Sequence, residues 1–154
     1  MNIREGARYR AAATTIGGRE FRWGERTYIV GVINVTPDSF SGDGVAGRPQ
    51  EALEKALAFQ AEGADLIDVG AESTRPGHTP ISAEEELQRL MPVLELLAPR
   101  VKVPISVDTH KAVVARRAIE AGASMINDVW GLKADPDIGL VASEYGVPLI
   151  VMHN

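Results

Sequence analysis

From Tyr28 onward, short apolar runs alternate with longer stretches of helical periodicity. The runs at 28–35, 65–69, 103–108, 124–129 and 148–153 are apolar with little alternation, which predicts parallel strands buried on both faces. The stretches between them carry helix punctuation. Pro49 suits the first turn of a helix over 49–62. Ser82 and Glu85 have capping-box spacing, and Leu87, Leu90, Leu94 and Leu97 form one apolar stripe on a second helix, which Pro92 is expected to bend. Thr109 is a candidate N-cap for a helix over 110–121. Asp135 and Pro136 suit the cap and first position of another over 136–145. Gly63, Gly122 and Gly146 each precede a strand core by two residues, where a left-handed residue ends the previous helix.

Ahead of this series, Phe21 and Trp23 alternate with charges after Gly17-Gly18, which predicts a hairpin within 14–27. Residues 1–13 read as a flexible leader, and 14–154 as one domain whose β/α units occupy 28–154. Five strands alternating with four helices fit either a doubly wound sheet or a (β/α)8 TIM barrel. Both place their chemistry at the carboxyl ends of the strands. The first βα loop, 36–47, holds no G-x-G-x-x-G and is long, which favours the barrel over a dinucleotide fold.

Composition narrows the function. The 154 residues are 45% hydrophobic and 24% charged, an ordinary globular balance. A net charge of −5 offers no basic face to nucleic acid or to an anionic membrane. The absence of cysteine excludes disulfides, thiolate nucleophiles and cysteine zinc sites. No apolar run is long enough to span a bilayer and no secretory signal opens the chain, so a cytoplasmic protein is expected. His78, His110 and His153 lack metal-ligand spacing and read as structural or solvent-exposed, and Trp130 as packing beneath the fourth loop.

Polar residues crowd the strand ends: Asn34 and Asp38 after the first, Thr74, Arg75, Pro76 and Gly77 after the second, Asp108 and Thr109 on the third, Asn127 and Asp128 on the fourth. Some can cap the following helices, as Ser82 and Thr109 are placed to do. Asn34, Asp108 and Asn127 lie within or at the very end of strands, where a ligand is the simpler partner. An aspartate beside an asparagine suits a flat heterocycle with an amidine-like edge, since the carboxylate accepts while the amide donates and accepts. A Thr-Arg-Pro-Gly loop suits a phosphate or diphosphate with Arg75 as bidentate donor, the lesser alternative being an ordinary surface arginine. Asn34 and Asp38 supply oxygen atoms suited to Mg2+ beside a diphosphate.

Four segments carry a resemblance: Gly31–Ser41 (GVINVTPDSFS), Ile67–Gly77 (IDVGAESTRPG), Ile105–Thr109 (ISVDT) and Ile126–Val129 (INDV), with Met152-His153 at the fifth strand end. In order and content the chain resembles dihydropteroate synthase from about residue 28 to 154. The resemblance implies a transferase of folate biosynthesis that condenses 6-hydroxymethyl-7,8-dihydropterin diphosphate with 4-aminobenzoate, giving 7,8-dihydropteroate and diphosphate. It implies that Asp108 and Asn127 hold the pterin, with Val129 and Met152 as apolar walls. Asn34 would hold Mg2+ or the diphosphate. Thr74 and Arg75 would contact the leaving diphosphate, and Phe40 and Pro76 would help form the aminobenzoate pocket. A homodimer is expected of the full-length protein.

The match departs from the family in two places. Where the family often reads Ser-Asp-Gly-Gly, this chain has Ser41-Gly42-Asp43-Gly44, which puts a role for Asp43 in doubt. The family's strands six to eight add an aspartate, a lysine and an arginine-histidine pair, and a barrel needs about 250 residues. Residues 1–154 alone are therefore expected to lack synthase activity. A corrinoid methyltransferase acting on methyltetrahydrofolate, or a non-catalytic pterin-binding fragment, is the alternative.

Overall fold

The structure is a computed structural model that describes residues 12–36, 48–73 and 79–153. The hairpin pairs β1 (Ala13–Ile16) with β2 (Arg19–Arg22) in antiparallel register, Ala13 opposite Arg22 and Ile16 opposite Arg19. Gly17 and Gly18 make its turn at φ of 54° and 78°, the left-handed geometry that two-residue hairpin turns demand. There follow β3 (Val30–Asn34), α1 (Pro49–Ala61), β4 (Leu66–Gly70), α2 (Ala83–Leu97), β5 (Ile105–Asp108), α3 (Ala112–Glu120), β6 (Met125–Asp128), α4 (Asp137–Tyr145) and β7 (Leu149–Val151).

The five strands β3 to β7 form one parallel sheet in sequence order. A doubly wound sheet reverses its order at a switch point, whereas a barrel adds each strand beside the last. The observed order is that of the barrel. The helices pack on one face, against a core that includes Ile33, Val69, Leu90, Leu94, Leu97, Val107 and Ile126, all at most 1% exposed. The hairpin covers the lower part of the other face, where Ile16 and Phe21 meet Leu66 and Met125 in a second, smaller core.

Several local expectations hold. Gly63, Gly122 and Gly146 have φ of 99°, 112° and 63°, ending α1, α3 and α4 as their positions require. The Ser82 hydroxyl accepts from the Glu85 amide at 3.1 Å. Others are corrected. The first strand is not buried on both faces: Val30 and Val32 are 45% and 52% exposed, because β3 is an edge of the sheet and the hairpin core does not extend over it. Thr109 does not cap α3. The helix starts after Lys111, and its first amide, that of Ala112, donates to Asp135 at 2.8 Å. Asp135 also accepts from the Asp137 amide at 3.1 Å, so one carboxylate serves the starts of two helices. Pro136 accordingly sits at the cap of α4 rather than at its first turn.

Candidate functional site

Parallel pairing aligns the strand ends into rows. Asn34 is in register with Gly70, Gly70 with Asp108, Asp108 with Asn127, and Asn127 with Ile150. Two residues earlier on each strand, and so on the same face, Val32, Asp68, Ser106 and Met125 form a deeper row. The face away from the helices is thus layered. An apolar floor at Leu66, which Met125 reaches from the row above, lies under the hairpin; Asp68 and Ser106 share that upper row, and a polar layer lies at the carboxyl ends.

In the top layer, Gly70 makes room for Asp108. A methyl group at Gly70 would stand 3.2 Å from the Asp108 Cβ and 3.3 Å from its Oδ2, so any larger residue would displace the carboxylate. Burial pushes the Asp108 carboxyl up to about 7, and the negative charges of Asp68, Glu86, Asp128 and Glu72 push the same way. An acid so poised takes up or releases a proton near neutrality, in response to whatever N–H donors or cationic charge a ligand brings.

Asn127 is held from beneath. Its Nδ2 donates to Asp68 Oδ2 at 3.2 Å, and the Ser106 hydroxyl donates to Asp68 Oδ1 at 2.5 Å. Burial raises the Asp68 carboxyl, and these two donors work against that rise. The Asn127 Oδ1 is buried with no hydrogen-bond partner among the described residues. A buried amide oxygen without a donor costs roughly 1–3 kcal/mol, which a ligand N–H would recover.

Beside this row lies a charge cluster. Lys111 Nζ bridges Glu72 and Glu86, donating to Glu86 Oε2 at 2.5 Å and, still closer, to Glu72 Oε2. Burial alone would raise the Glu72 carboxyl, but the hydrogen bond and charge of Lys111 outweigh it and the net shift is downward. His110 Nε2 stands 3.8 Å from the same carboxylate, and the His110 ring meets Trp130 edge-on. Asp128, which the sequence places among the strand-end polar groups, is spent on a turn. Its two oxygens accept from the Trp130 and Leu132 amides at 2.9 and 2.6 Å.

The residues expected to form the site divide as follows. Asn34, Asp108 and Asn127 share one row, as their strand-end positions imply. Val129 is half-buried just past β6. Met152 lies past β7, 43% exposed, its amide donating to the Asp128 carbonyl at 3.3 Å. The turn between them needs a glycine: Gly131 has φ of 60°, and a Cβ there would fall 2.1 Å from the Met152 carbonyl oxygen. Asp38, Phe40, Thr74, Arg75, Pro76 and His78 lie outside the described residues. Among the described residues no group of three His, Asp or Glu is arranged to hold a metal. Asn34 offers one amide oxygen, which fits Mg2+ as a single ligand when water and substrate phosphate complete its shell.

Asp68, Ser106, Lys111 and Glu86 were not among the residues expected at the site. The signal for the first two was the period of two, since Asp68 and Ser106 stand two residues before Gly70 and Asp108. For Glu86 it was the helical period, because Glu86 lies four residues before Leu90 on the buried stripe.

Comparison with known proteins agrees with this layout. Residues 30–154 match the family described as pterin binding enzyme. The dihydropteroate synthase of Clostridium beijerinckii is 50% identical over 139 residues, covering 90% of this chain and 52% of that relative. The Bacillus subtilis enzyme is 50% identical over 130 residues, covering 84% of this chain and 46% of its own. The solved Xanthomonas albilineans dihydropteroate synthase with 4-aminobenzoic acid superposes with a TM-score of 0.81 at 43% identity, covering 92% of this chain and 52% of that one. For the Burkholderia cenocepacia enzyme complexed with 7,8-dihydropteroate the TM-score is 0.77 at 39% identity, covering 92% and 46%. The chain spans about half the length of the curated relatives it matches. Its sequential parallel sheet, hairpin-covered floor and polar strand-end row are part of a TIM barrel, and the chain belongs to the pterin-binding enzyme family.

Proposed function

We propose that this chain carries the pterin-holding part of a dihydropteroate synthase, which joins 6-hydroxymethyl-7,8-dihydropterin diphosphate to 4-aminobenzoate and releases diphosphate. The observation that carries this reading is the row of Asn34, Asp108 and Asn127 at one end of the sheet, with a buried amide oxygen that has no donor among the described residues. The ligands named for the relatives support it, 4-aminobenzoic acid in the Xanthomonas albilineans enzyme and 7,8-dihydropteroate in that of Burkholderia cenocepacia.

In this reading Asp108 and Asn127 grip the N–H-rich edge of the ring, and Val129 and Met152 flank it. As the bond to diphosphate breaks, positive charge grows on the dihydropterin, and an ionised Asp108 favours it. Thr74 and Arg75 hold the departing diphosphate, with Asp38 nearby, while Phe40 and Pro76 bound the space for the incoming amine. A Mg2+ ion held by Asn34 would neutralise charge on the diphosphate oxygens. A cytoplasmic location and a homodimeric full-length protein belong to the same proposal. Calorimetric titration with the pterin diphosphate, with and without Mg2+, tests it. Binding that tightens with Mg2+ is expected, and no binding in either condition overturns the reading.

A further inference from the structure

We infer that Asp68 is a specificity-determining residue that acts through Asn127: it fixes which end of the Asn127 amide faces the ligand, so that the site selects a ring presenting an exocyclic N–H. This rests on the pterin reading above and extends it one layer deeper. Asp68 lies beneath the top row, on the same face as Gly70 and in register with Ser106. It is only 5% exposed. Its Oδ1 takes the Ser106 hydroxyl at 2.5 Å, which holds the carboxylate in one orientation and leaves Oδ2 for Asn127.

An ionised carboxylate only accepts hydrogen bonds, so an amide facing it must point its NH2 group toward it. The 3.2 Å contact from Asn127 Nδ2 to Asp68 Oδ2 is that arrangement. The consequence appears on the other side of the amide, where Oδ1 is buried and partnerless among the described residues. Without Asp68 the amide turns over at little cost, because its oxygen and nitrogen are nearly the same size. It then offers a donor where the site needs an acceptor. Asp68 touches no ligand in this scheme. It is a positioning residue, and its effect falls on selectivity rather than on overall affinity.

The test measures the dissociation constants of the full chain for a pterin and for its 2-desamino analogue, which lacks the exocyclic N–H. The unsubstituted protein should prefer the pterin by about tenfold to a hundredfold, the range of one buried hydrogen bond. In Asp68→Ala and Asp68→Val, which leave no acceptor for the Asn127 NH2 group, that ratio should fall toward one. Equal weakening of both ligands with the ratio kept would make Asp68 merely structural and overturn the inference while leaving the pterin reading intact. An unsubstituted protein that binds neither ligand overturns both, and one that binds them equally overturns the inference alone. Should the variants fail to fold, the side-chain NH2 of Asn127 decides in the unsubstituted protein. Slow hydrogen exchange, before and after the pterin is added, supports the inference, and exchange at the rate of a solvent-exposed amide overturns it.

Discussion

Two carboxylates, one at each end of the sheet, live under opposite conditions. At the amino-terminal end Asp65 accepts from Arg26 at 2.9 and 2.5 Å and from the Ile29 amide at 3.0 Å, with Arg19 3.8 Å away. The hydrogen bonds from Arg26 are the main reason its carboxyl is pulled down to about 2. At the other end burial lifts Asp108 to about 7, and the charges that weigh on it most are negative. The floor beneath the hairpin is apolar, while the top row gathers negative charge and holds an amide oxygen with no donor among the described residues. In a barrel, stability accumulates at the end away from the loops and chemistry at the end that bears them. This half-sheet keeps that division, and substitutions at the two ends should therefore fail in different ways.

The largest effect is expected at the floor. Phe21 is 2% exposed and packs its ring 4.9 Å from Tyr28 and 5.7 Å from Trp23, so Phe21→Ala should cost about 3–5 kcal/mol in urea unfolding. Pterin affinity of the folded fraction should stay within about twofold. A loss of affinity matching the loss of stability would mean that the ends are not separable. Lys111→Met probes the exception, a structural element at the functional end. It leaves Glu72 and Glu86 facing each other without their cation, the Glu86 side chain 1% exposed. About 3 kcal/mol of stability should go. The double variant Lys111→Met, Glu86→Gln should regain part of it, and a single variant within about 1 kcal/mol of the parent would show the cluster to be compensated by water.

What the sequence revealed, and what it hid, follows the same division of the molecule. Asn34, Asp108 and Asn127 were legible because polar residues at the ends of apolar strands are conspicuous, and strand ends converge in any β/α fold. Asp68 and Ser106 were hidden by the same apolar runs. A strand read as buried throughout gives no reason to ask which face each residue takes. The Arg26–Asp65 pair joins residues 39 apart, and Asp135 caps a helix that starts 23 residues earlier. Neither leaves a local trace, because only the closed fold brings the partners together. The failed cap at Thr109 belongs here too, since a nearer candidate in sequence lost to a farther one in space.

Next in size is Asp108→Asn. The folded protein holds the Asp108 proton more tightly than the unfolded chain, with a carboxyl near 7 against 3.8. Its contribution to stability is therefore complete below about pH 4 and is lost as pH rises through 7. Asparagine never ionises and escapes that loss. At pH 7.5 the variant should be the more stable protein by roughly 2–3 kcal/mol, less than the full shift implies because neighbouring carboxylates share the titration. Pterin affinity should drop about a hundredfold, the value of a charge-assisted hydrogen bond. Urea midpoints between pH 4 and 7.5 check the first statement and calorimetry the second. A variant less stable than its parent at pH 7.5 would mean that Asp108 supports the fold rather than the site.

The smallest effect has the opposite sign of pH dependence, and for that reason it sharpens the comparison most. Asp65 has its carboxyl lowered from 3.8 to about 2, so its contribution is complete above about pH 4 and disappears as pH falls toward 2. The shift would correspond to a larger figure if both partners were buried, but Arg26 and Arg19 are about half exposed, and solvent screening reduces the expected contribution to about 1–2 kcal/mol. Asp65→Asn keeps an acceptor for the Ile29 amide and removes only the charge. Because Asp108 titrates in the adjoining window, the measurement belongs in an Asp108→Asn background, where the upper slope is absent. There the stability gap made by Asp65→Asn should be about 1–2 kcal/mol at pH 5 and should fall to about a third of that by pH 2.5. A gap that does not change with pH would mean that Asp65 serves as a hydrogen-bond acceptor alone, and that the hairpin is tied to the floor by packing rather than by charge.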